Sequence, residues 1–447
     1  MRPPSRRARP LAALGAQSLA LRGAEIAAQA LLILVTARFL GPEGRGLYAV
    51  ASLAATLCIV PLGSVWSALA VDVAKRTRPL NALVTDAVVI AGVGGAAVAS
   101  VGIGVSPLLG ERWWVVALPA ALTPVLLWLT YVQGLYQALG HVVAFHGVIV
   151  GRVVAPLVFL SVAIALGAGL ETAMVAWAAS FVALVPLVAT HLLALSGRPA
   201  RVVSNVRPYL RRVQLGVRFV PTNTVLLLNT QVALLYLAAL TTTATVGVYS
   251  VAVAGGELLK VGARAVYSSV LPGVGSRKRE AAADLTARAV RHSILLGIAG
   301  PALVVPASVL LVPPILGNGY GDVPLLLGLL VPSVVAYGAF LALTAYFSVQ
   351  VVSPELMTIA STLMLGTTLV LMALLVPVLG APGAAVATSL GSSVGVAHLV
   401  RSFAHLGGRT PGSLVPGRAE LRDYLALARM VPTRMGRRRS APATEGV

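Results

Sequence analysis

Long apolar runs follow one another along almost the whole chain, and they constrain the fold more than any other feature of the sequence. Apolar residues make up 57% of the 447 positions and charged residues only 11%, and the mean hydropathy is +0.89. Soluble proteins carry charge at about 25% of their positions. Since a membrane-spanning helix needs roughly 20 apolar residues, the length leaves room for about a dozen spans joined by short loops. The sequence therefore predicts an all-α polytopic membrane protein.

Breaks in the apolar runs, at charges or at Gly and Pro clusters, place about twelve spans in two sets. The first set comprises residues 15–39, 44–70, 83–106, 113–138, 143–166 and 171–195. The second set comprises residues 217–240, 244–270, 287–311, 323–349, 355–378 and 381–404. We expect an N-terminal six-helix lobe at 15–195 and a C-terminal six-helix lobe at 217–404, joined by a basic linker at 196–216. Basic tails at 1–14 and 405–447 flank the two lobes.

The net charge of +20 lies mostly on one side of these spans. With the N-terminus placed inside, the cytoplasmic segments are rich in arginine, and the outer connections keep only Arg38, Arg45 and Arg112. This distribution follows the positive-inside rule and predicts that both termini face the cytoplasm. Arginine also far outnumbers lysine, which hints at a bacterial, GC-rich genome and hence a bacterial plasma membrane. Because orientation explains the charge, no nucleic-acid partner is expected.

Two pairs of short segments indicate an internal repeat. "GLYAVA" at 46–51 matches "GVYSVA" at 247–252, and "GLETAMVAWAAS" at 169–180 loosely matches "GAPGAAVATSLG" at 380–391. Six spans per half give the two halves the same orientation in the membrane. They are therefore predicted to form a parallel, pseudo-symmetric pair of lobes with a cavity between them at the membrane midplane.

Signatures of enzymes and cofactors are scarce. The single cysteine, Cys58, lies in an apolar run, and no G-x-x-x-x-G-K-[ST] nucleotide-binding loop is present. "GSSVG" at 391–395 has the spacing of a nucleophile elbow, but it falls inside a predicted span, where close helix packing explains it better. The histidines show no H-x-x-x-H spacing and are interpreted as interfacial anchors. We therefore expect no catalytic activity, no metal and no cofactor.

Ionisable residues inside the predicted spans are the main site candidates, because each costs several kcal/mol there unless it faces water or a partner. They are Arg22 and Glu25 on the first span, Arg152 on the fifth, and Glu257, Lys260 and Arg264 on the eighth. The spacings of three and seven residues place Glu257, Lys260 and Arg264 on one helix face. The alternative interpretation is that these residues form structural ion pairs or extend to the cytoplasmic edge.

If these residues line a cavity, its balance is cationic and suits phosphate or pyrophosphate, since arginine offers paired donors to phosphate oxygens. Arg22, Arg152 and Arg264 are the candidate pyrophosphate contacts. Glu25, Glu257 and Lys260 are candidate coupling or paired charges. The remaining candidates are uncharged polar residues at related positions of the two repeats, which suit either interhelical hydrogen bonds or sugar recognition. They are Gln29, Asn223, Asn229 and Gln231.

The segments "ARFLGPEGRGLYAVA" at 37–51, "VGVYSVAVAGGELL" at 246–259 and "LGAPGAAVATSLG" at 379–391 resemble those of polysaccharide-biosynthesis flippases. These are the O-antigen and exopolysaccharide exporters of the multidrug/oligosaccharidyl-lipid/polysaccharide (MOP) superfamily. The resemblance implies a two-lobed bundle that works by alternating access. Its implied cargo is an oligosaccharide linked through pyrophosphate to a polyprenyl lipid, and polysaccharide polymerase and glycosyltransferases are its implied partners.

Three rival hypotheses remain at this point. A cation-coupled multidrug exporter of the same fold would use Glu25 or Glu257 as its coupling carboxylate. A membrane-bound polymerase or ligase would need a sizeable outer loop, and the predicted outer loops are short. A scaffold without transport activity would not need charges clustered inside the membrane. The cationic balance favours the flippase.

Overall fold

The computed structural model describes residues 11–198, 200–202, 205–218, 220–417, 420 and 422, and all regular secondary structure within them is helical. The predicted tails therefore lie largely outside the described residues. The side chain of Asn223 on its helix is also outside the described part.

Sixteen α-helices follow one another in the described part of the chain. The helices up to the basic linker are α1 Leu11–Gly63, α2 Val65–Ala74, α3 Leu80–Val89, α4 Gly95–Val105, α5 Trp114–Ala121, α6 Thr123–Ala138, α7 Val142–Ala165 and α8 Leu170–Ser196. The later helices are α9 Arg207–Val217, α10 Val220–Leu240, α11 Thr243–Leu259, α12 Val261–Gly275, α13 Arg279–Leu316, α14 Val323–Tyr346, α15 Pro354–Leu379 and α16 Ala381–Gly407. Short π-helical turns at Ile90–Gly94 and Phe347–Val351 continue α3 and α14.

Nine helical stretches in the described part are long and apolar enough to cross a membrane, and α5 with α6, bent by 46° at their junction, adds one more. The first stretch, Leu21–Gly63, is interrupted at Gly41, where the backbone has a left-handed φ of 67°. It therefore supplies two spans, and α10 contains the shorter apolar helix Leu227–Leu240. Each predicted span falls on one of these helices, which confirms an all-α polytopic membrane fold.

The described residues group into two compact units. The first unit holds the residues up to Ala254 together with Val309–Val323 and Leu379–Ala381. The second unit holds Gly255–Ser308, Pro324–Val378 and the described residues from Pro382 onward. Helix α10 and most of α11 thus pack with the first unit, although the sequence repeat assigns them to the second half. The division into lobes at 15–195 and 217–404 stays a prediction.

Each unit has its own aromatic core. In the first unit, α6 lies at the centre, and its buried Tyr131 donates a hydrogen bond of 2.8 Å to the carbonyl of Leu62. The hydroxyl of Tyr136 lies 2.8 Å from Nδ1 of His191, so this histidine has a partner within the unit. In the second unit, Tyr346 and Phe403 meet edge to face, with ring centroids 4.9 Å apart. These cores hold the polar residues described below at fixed positions.

The basic linker is partly a folded element, which its charge alone did not predict. Residues Arg207–Val217 form α9, and its buried Arg212 donates from Nε to Asp72 across 2.8 Å. Nη1 of Arg212 lies 3.2 Å from Asp86, which also forms a 2.7 Å ion pair with Arg78. Gly216 allows α9 to approach closely, because a Cβ there would lie 2.7 Å from the Cα of Val65. The linker is therefore anchored to the first unit.

Candidate functional site

The two copies of the sequence repeat meet directly in the first unit. A Cβ built on Gly46 would lie 1.8 Å from the carbonyl oxygen of Thr243, and one built on Gly247 would lie 1.9 Å from the carbonyl oxygen of Pro42. Each carbonyl belongs to the residue four positions before the opposite glycine, so the contact is reciprocal. Backbones approach this closely only where both residues lack a side chain. We call this contact between α1 and α11 the outer crossing, since it lies at the predicted outer end.

Arg45 is buried at the outer crossing, with 7% of its surface exposed. Its Nη1 donates to the hydroxyl of Thr36 across 2.9 Å, and its Nε donates to the hydroxyl of Ser250 across 3.1 Å. The guanidinium also lies 5.1 Å from the ring centroid of Tyr48. The sequence placed Arg45 in an outer connection, and in the structure its side chain is buried by helix packing. Its partner Ser250 is far away in sequence, which no local pattern reveals.

A tyrosine and an ion pair add to the outer crossing. The hydroxyl of Tyr320 donates to the carbonyl of Ala37 across 3.0 Å, and both groups are buried. Arg112 forms an exposed 2.8 Å ion pair with Glu43 and a 3.0 Å hydrogen bond to Thr243. Exposed ion pairs contribute little, about 0–1 kcal/mol, so the buried contacts dominate this end of the unit.

Nearer the start of α1, toward the predicted cytoplasmic side, Arg22 and Glu25 interact with His146 of α7, and Arg152 follows six residues later on α7. We call these four residues, Arg22, Glu25, His146 and Arg152, the first-unit charge cluster. Arg22 is exposed and Glu25 is partly buried. Both interact electrostatically with His146, which is buried on α7 at 4% exposure. The sequence placed His146 at a membrane edge as an anchor, and its position beside two charges corrects that interpretation.

Charges in this cluster are not paired with one another. Arg22 and Glu25 share a helix face as predicted, but the described contacts include no ion pair between them, and Glu25 Oε2 is a buried atom without a hydrogen-bond partner. Arg152 is partly buried, and it makes no ion pair or side-chain hydrogen bond with the residues that the structure describes. Within the part of the chain that the structure describes, the guanidinium groups of Arg22 and Arg152 therefore have no ion-pair partner.

The second unit contains a different arrangement, which we call the second-unit triad, comprising Glu257, Lys260 and Arg264. Lys260 Nζ lies 2.6 Å from Oε1 of Glu257, and Arg264 Nη2 lies 2.6 Å from its Oε2. Here the predicted ion pairing is present. The sequence did not predict Tyr337, whose hydroxyl accepts a 3.1 Å hydrogen bond from Arg264 Nε and whose ring centroid lies 4.9 Å from Lys260 Nζ. The triad keeps one net positive charge, but both cations already have partners.

The uncharged polar candidates lie on α1 and α10. Gln29 is exposed on α1, whereas Asn229 and Gln231 are partly buried on α10, and these two helices pack against each other. Among the described residues, Gln29 forms no hydrogen bond with Asn229 or Gln231. Their roles in sugar recognition or helix packing stay predictions.

Comparison with known proteins supports the fold. No protein-family model matches the chain, and no curated protein matches it. A solved structure of the lipid II flippase MurJ, in an inward closed conformation, is similar with a TM-score of 0.65 at 13% identity, covering 89% of each chain. An inward-facing multidrug resistance MATE family transporter of the MOP superfamily gives a TM-score of 0.64 at 16% identity, covering 85% of this chain and 95% of that one.

A third similar structure is a MOP superfamily transporter from Pyrococcus furiosus, described as having a binding pocket of reverse polarity. Its TM-score is 0.50 at 14% identity, and the match covers 87% of this chain and 94% of that one. At such identities, likeness establishes the fold alone. The chain has an all-helical, multi-pass membrane fold like that of these solved structures.

Proposed function

We propose that this chain is a plasma-membrane flippase that carries an oligosaccharide, joined through pyrophosphate to a polyprenyl lipid, from the cytoplasmic to the outer leaflet. Arg152 supports this proposal best, because it is partly buried in α7 and has no ion pair among the described residues. An unpaired charge within a membrane span is costly and is retained where it serves a ligand. A structure with the same fold belongs to a lipid II flippase, so this fold is compatible with a lipid-linked cargo.

The chemistry of the free groups favours a phosphate ligand. A guanidinium presents a planar fork of N–H donors that matches two phosphate oxygens, and such charge-assisted hydrogen bonds are stronger than neutral ones. Arg22 and Arg152 together can balance the charge of a pyrophosphate. Glu25 is the nearby acid, and it interacts electrostatically with His146.

The order of contacts follows from the predicted topology. Both the first half of α1 and α7 run from the cytoplasmic to the outer side in that topology. Arg22 interacts with His146, and Arg152 lies six residues farther along α7, about 9 Å along the helix axis. We infer that Arg22 receives the pyrophosphate first and that Arg152 holds it deeper in the membrane, while the polyprenyl chain stays in the bilayer.

Arg264 receives a different role from that of the two first-unit arginines. It is held by Glu257 and Tyr337, so a phosphate would have to displace the carboxylate before it could bind. We propose that the second-unit triad acts after the initial capture, in a state in which Glu257 releases Arg264. A ligand biases two states only through its different affinity for each, and exchange of Glu257 for phosphate provides such a difference.

Direction is supplied by the reactions on either side of the membrane. We propose that glycosyltransferases at the cytoplasmic side supply the lipid-linked oligosaccharide and that a polymerase at the outer side consumes it. Net transport toward the outer leaflet then requires no nucleotide hydrolysis by this chain. This agrees with its sequence, which contains no G-x-x-x-x-G-K-[ST] nucleotide-binding loop.

The test is a translocation assay in liposomes with a fluorescent polyprenyl-pyrophosphate disaccharide, in which dithionite reduces only the label in the outer leaflet. We expect Arg152→Ala to slow translocation at least tenfold and Arg22→Ala to slow it less, because a lost charge-assisted hydrogen bond costs about 1.5–3 kcal/mol. Arg288→Ala removes an exposed arginine of α13 and serves as the matched control. An unchanged rate for both Arg152→Ala and Arg22→Ala would remove this site assignment.

A second candidate function rests on Glu25. Its Oε2 is buried and has no hydrogen-bond partner among the described residues. Glu257, the other coupling candidate, is occupied by two cations. A cation-coupled drug exporter would therefore use Glu25. That function predicts drug resistance that depends on the proton or sodium gradient and is lost in Glu25→Gln, whereas the flippase predicts no such resistance.

A further inference from the structure

The linker helix α9 has three distinct faces. At about 100° per residue, Tyr209, Arg212 and Gly216 share one face, and all three are buried. Arg212 on this face is fixed by Asp72 and Asp86, as described above. Because these contacts hold one side of α9 against the first unit, the other two sides point away from the protein.

The second face of α9 is apolar and exposed. Val206, Leu210 and Val217 lie within about 40° of one another around the helix axis. Their exposed fractions are 59%, 52% and 45%. Apolar side chains grouped at this exposure are unusual on a surface that meets only water.

The third face of α9 is basic. Arg207, Arg211 and Arg218 also lie within about 40° of one another, next to the apolar stripe, and all three are exposed. Gln214 lies between the two stripes. Residues 196–218 contain no Asp or Glu, so no acid of the linker neutralises these arginines.

We propose that α9 lies in the surface of the cytoplasmic leaflet and binds anionic phospholipids. Helix α8 ends at Ser196 and α10 begins at Val220, so the linker joins two membrane spans and starts and ends at the bilayer. An apolar stripe bordered by arginines is the pattern of a helix that inserts its apolar side among acyl chains and places its charges at the head groups. Anionic lipids of this leaflet complement that charge.

Because Arg212 anchors α9 to the first unit, lipid binding on the other faces of α9 affects how this helix is docked. The same short helix carries the lipid-facing arginines on one side and the buried Arg212 on another. Lipid bound at Arg207, Arg211 and Arg218 therefore stabilises the position of α9 over Asp72 and Asp86. The linker acts as a lipid-dependent anchor at the cytoplasmic end of the first unit.

The test places an environment-sensitive fluorophore at Gln214→Cys in a Cys58→Ser background of the full chain. The labelled protein is reconstituted in phosphatidylcholine alone or with about one third phosphatidylglycerol, together with a lipid that carries a quencher near its head group. We expect quenching to increase when the anionic lipid is present. Half a molar salt should weaken this increase, because salt screens exposed charges.

Two triple variants separate the stripe from general charge. The first variant combines Arg207→Gln, Arg211→Gln and Arg218→Gln. The increase in quenching caused by phosphatidylglycerol should fall at least tenfold in this variant, since each arginine contributes about fivefold to binding. Arg277→Gln, Lys278→Gln and Arg288→Gln remove the same charge from exposed positions of the second unit and should leave it unchanged. Leu210→Ser should lower quenching in both lipid mixtures.

Equal quenching in the two lipid mixtures, or the same response in both triple variants, would overturn the proposal. A face that instead binds an acidic soluble protein would give this lipid-independent result. Thermal unfolding of each variant serves as the folding control, and Arg212 is kept in all of them so that α9 stays docked.

Discussion

Arginines at the two ends of the first unit differ in whether the fold supplies hydrogen-bond partners for their guanidinium groups. At the outer crossing, Arg45 donates to Thr36 and Ser250 and lies over the ring of Tyr48. In the first-unit charge cluster, Arg152 has no such partner among the described residues. Burial of a guanidinium is therefore not in itself a sign of ligand binding in this protein. The sign is a guanidinium whose hydrogen-bonding capacity the fold leaves unused.

The second-unit triad is intermediate in this property. Its cations are partnered, as Arg45 is, but about 40% of the Arg264 side chain and 39% of the Glu257 side chain stay exposed. A ligand can reach such a pair and compete for it. The following substitutions test this difference between arginines whose hydrogen bonds are satisfied by the fold and arginines whose hydrogen bonds are not.

The largest loss of stability is expected from Gly46→Ala, which disrupts the outer crossing around Arg45. The new Cβ would lie 1.8 Å from the carbonyl oxygen of Thr243, which is main chain and cannot rotate away. Helices α1 and α11 would have to separate, and we expect a loss of more than about 4 kcal/mol or no folded protein. The measurement is the monodisperse fraction on size-exclusion chromatography. Gly23→Ala on the same helix meets nothing within 4 Å and should be harmless.

Arg45→Gln tests whether this arginine is structural. It leaves the buried hydroxyls of Thr36 and Ser250 without their charged donor, so we expect a destabilisation of about 2–3 kcal/mol. Thermal unfolding in detergent measures the effect, and Arg38→Gln, at an exposed position on the same helix, is the control. If Arg45→Gln unfolds at the same temperature as the parent but loses translocation, Arg45 belongs to the ligand site and the comparison is wrong.

Glu257→Gln tests the second-unit triad. Removing the carboxylate leaves Lys260 and Arg264 without their shared partner, and we expect a loss of about 1–2 kcal/mol, less than the 3–5 kcal/mol of a fully buried pair. In a double-mutant cycle, Arg264→Gln should add little further loss in the Glu257→Gln background. Additive effects of the two substitutions would mean that the ion pair contributes no stability.

A pH-dependent effect is expected in the tail, where Glu420 forms an ion pair with Arg291. Burial raises the pKa of the Glu420 carboxyl, but hydrogen bonds from Arg291 and from the backbone N–H of Gly417 outweigh this and lower it from 4.5 to about 2. Since the pKa is depressed in the folded protein, the contribution to stability is complete above pH 4.5 and is lost as the pH falls toward 2.

Glu420→Gln should therefore unfold at a slightly lower temperature than the parent at pH 7, and the difference should narrow between about pH 4.5 and pH 3. The exposed Glu43, paired with Arg112, offers the control Glu43→Gln, which should shift the unfolding temperature little at either pH. A difference between Glu420→Gln and the parent that persists unchanged at pH 3 would contradict the assigned ion pair.

Local sequence patterns predicted what depends on local geometry. The apolar runs located the spans, the predicted break between residues 39 and 44 contains the kink at Gly41, and the three- and seven-residue spacings allowed the ion pairs of the second-unit triad. The three-residue spacing of Arg22 and Glu25 likewise permits a pair, but a shared helix face does not require one. In the structure Glu25 lies partly buried instead, with His146 nearby.

Partners from distant helices could not be predicted. Ser250, Tyr337 and Asp86 each complete a contact with an arginine far away in sequence. Nothing in one sequence fixes which helices pack, so the burial of Arg45 and the docking of α9 through Arg212 appeared only in the structure. Gly46 and Gly247 are a partial exception. The match of "GLYAVA" with "GVYSVA" identified both segments, but it did not predict that they contact each other.

The most direct test of the central claim is the equilibrium affinity of the purified protein for a fluorescent polyprenyl-pyrophosphate disaccharide, compared between Arg152→Ala and Arg264→Ala. The unsatisfied arginine should dominate initial capture, so we predict at least tenfold weaker binding for Arg152→Ala and less than threefold for Arg264→Ala, at about 1.4 kcal/mol per tenfold. The reverse order, or equal and small losses in both variants, would contradict the claim that the free arginines of the first unit hold the pyrophosphate.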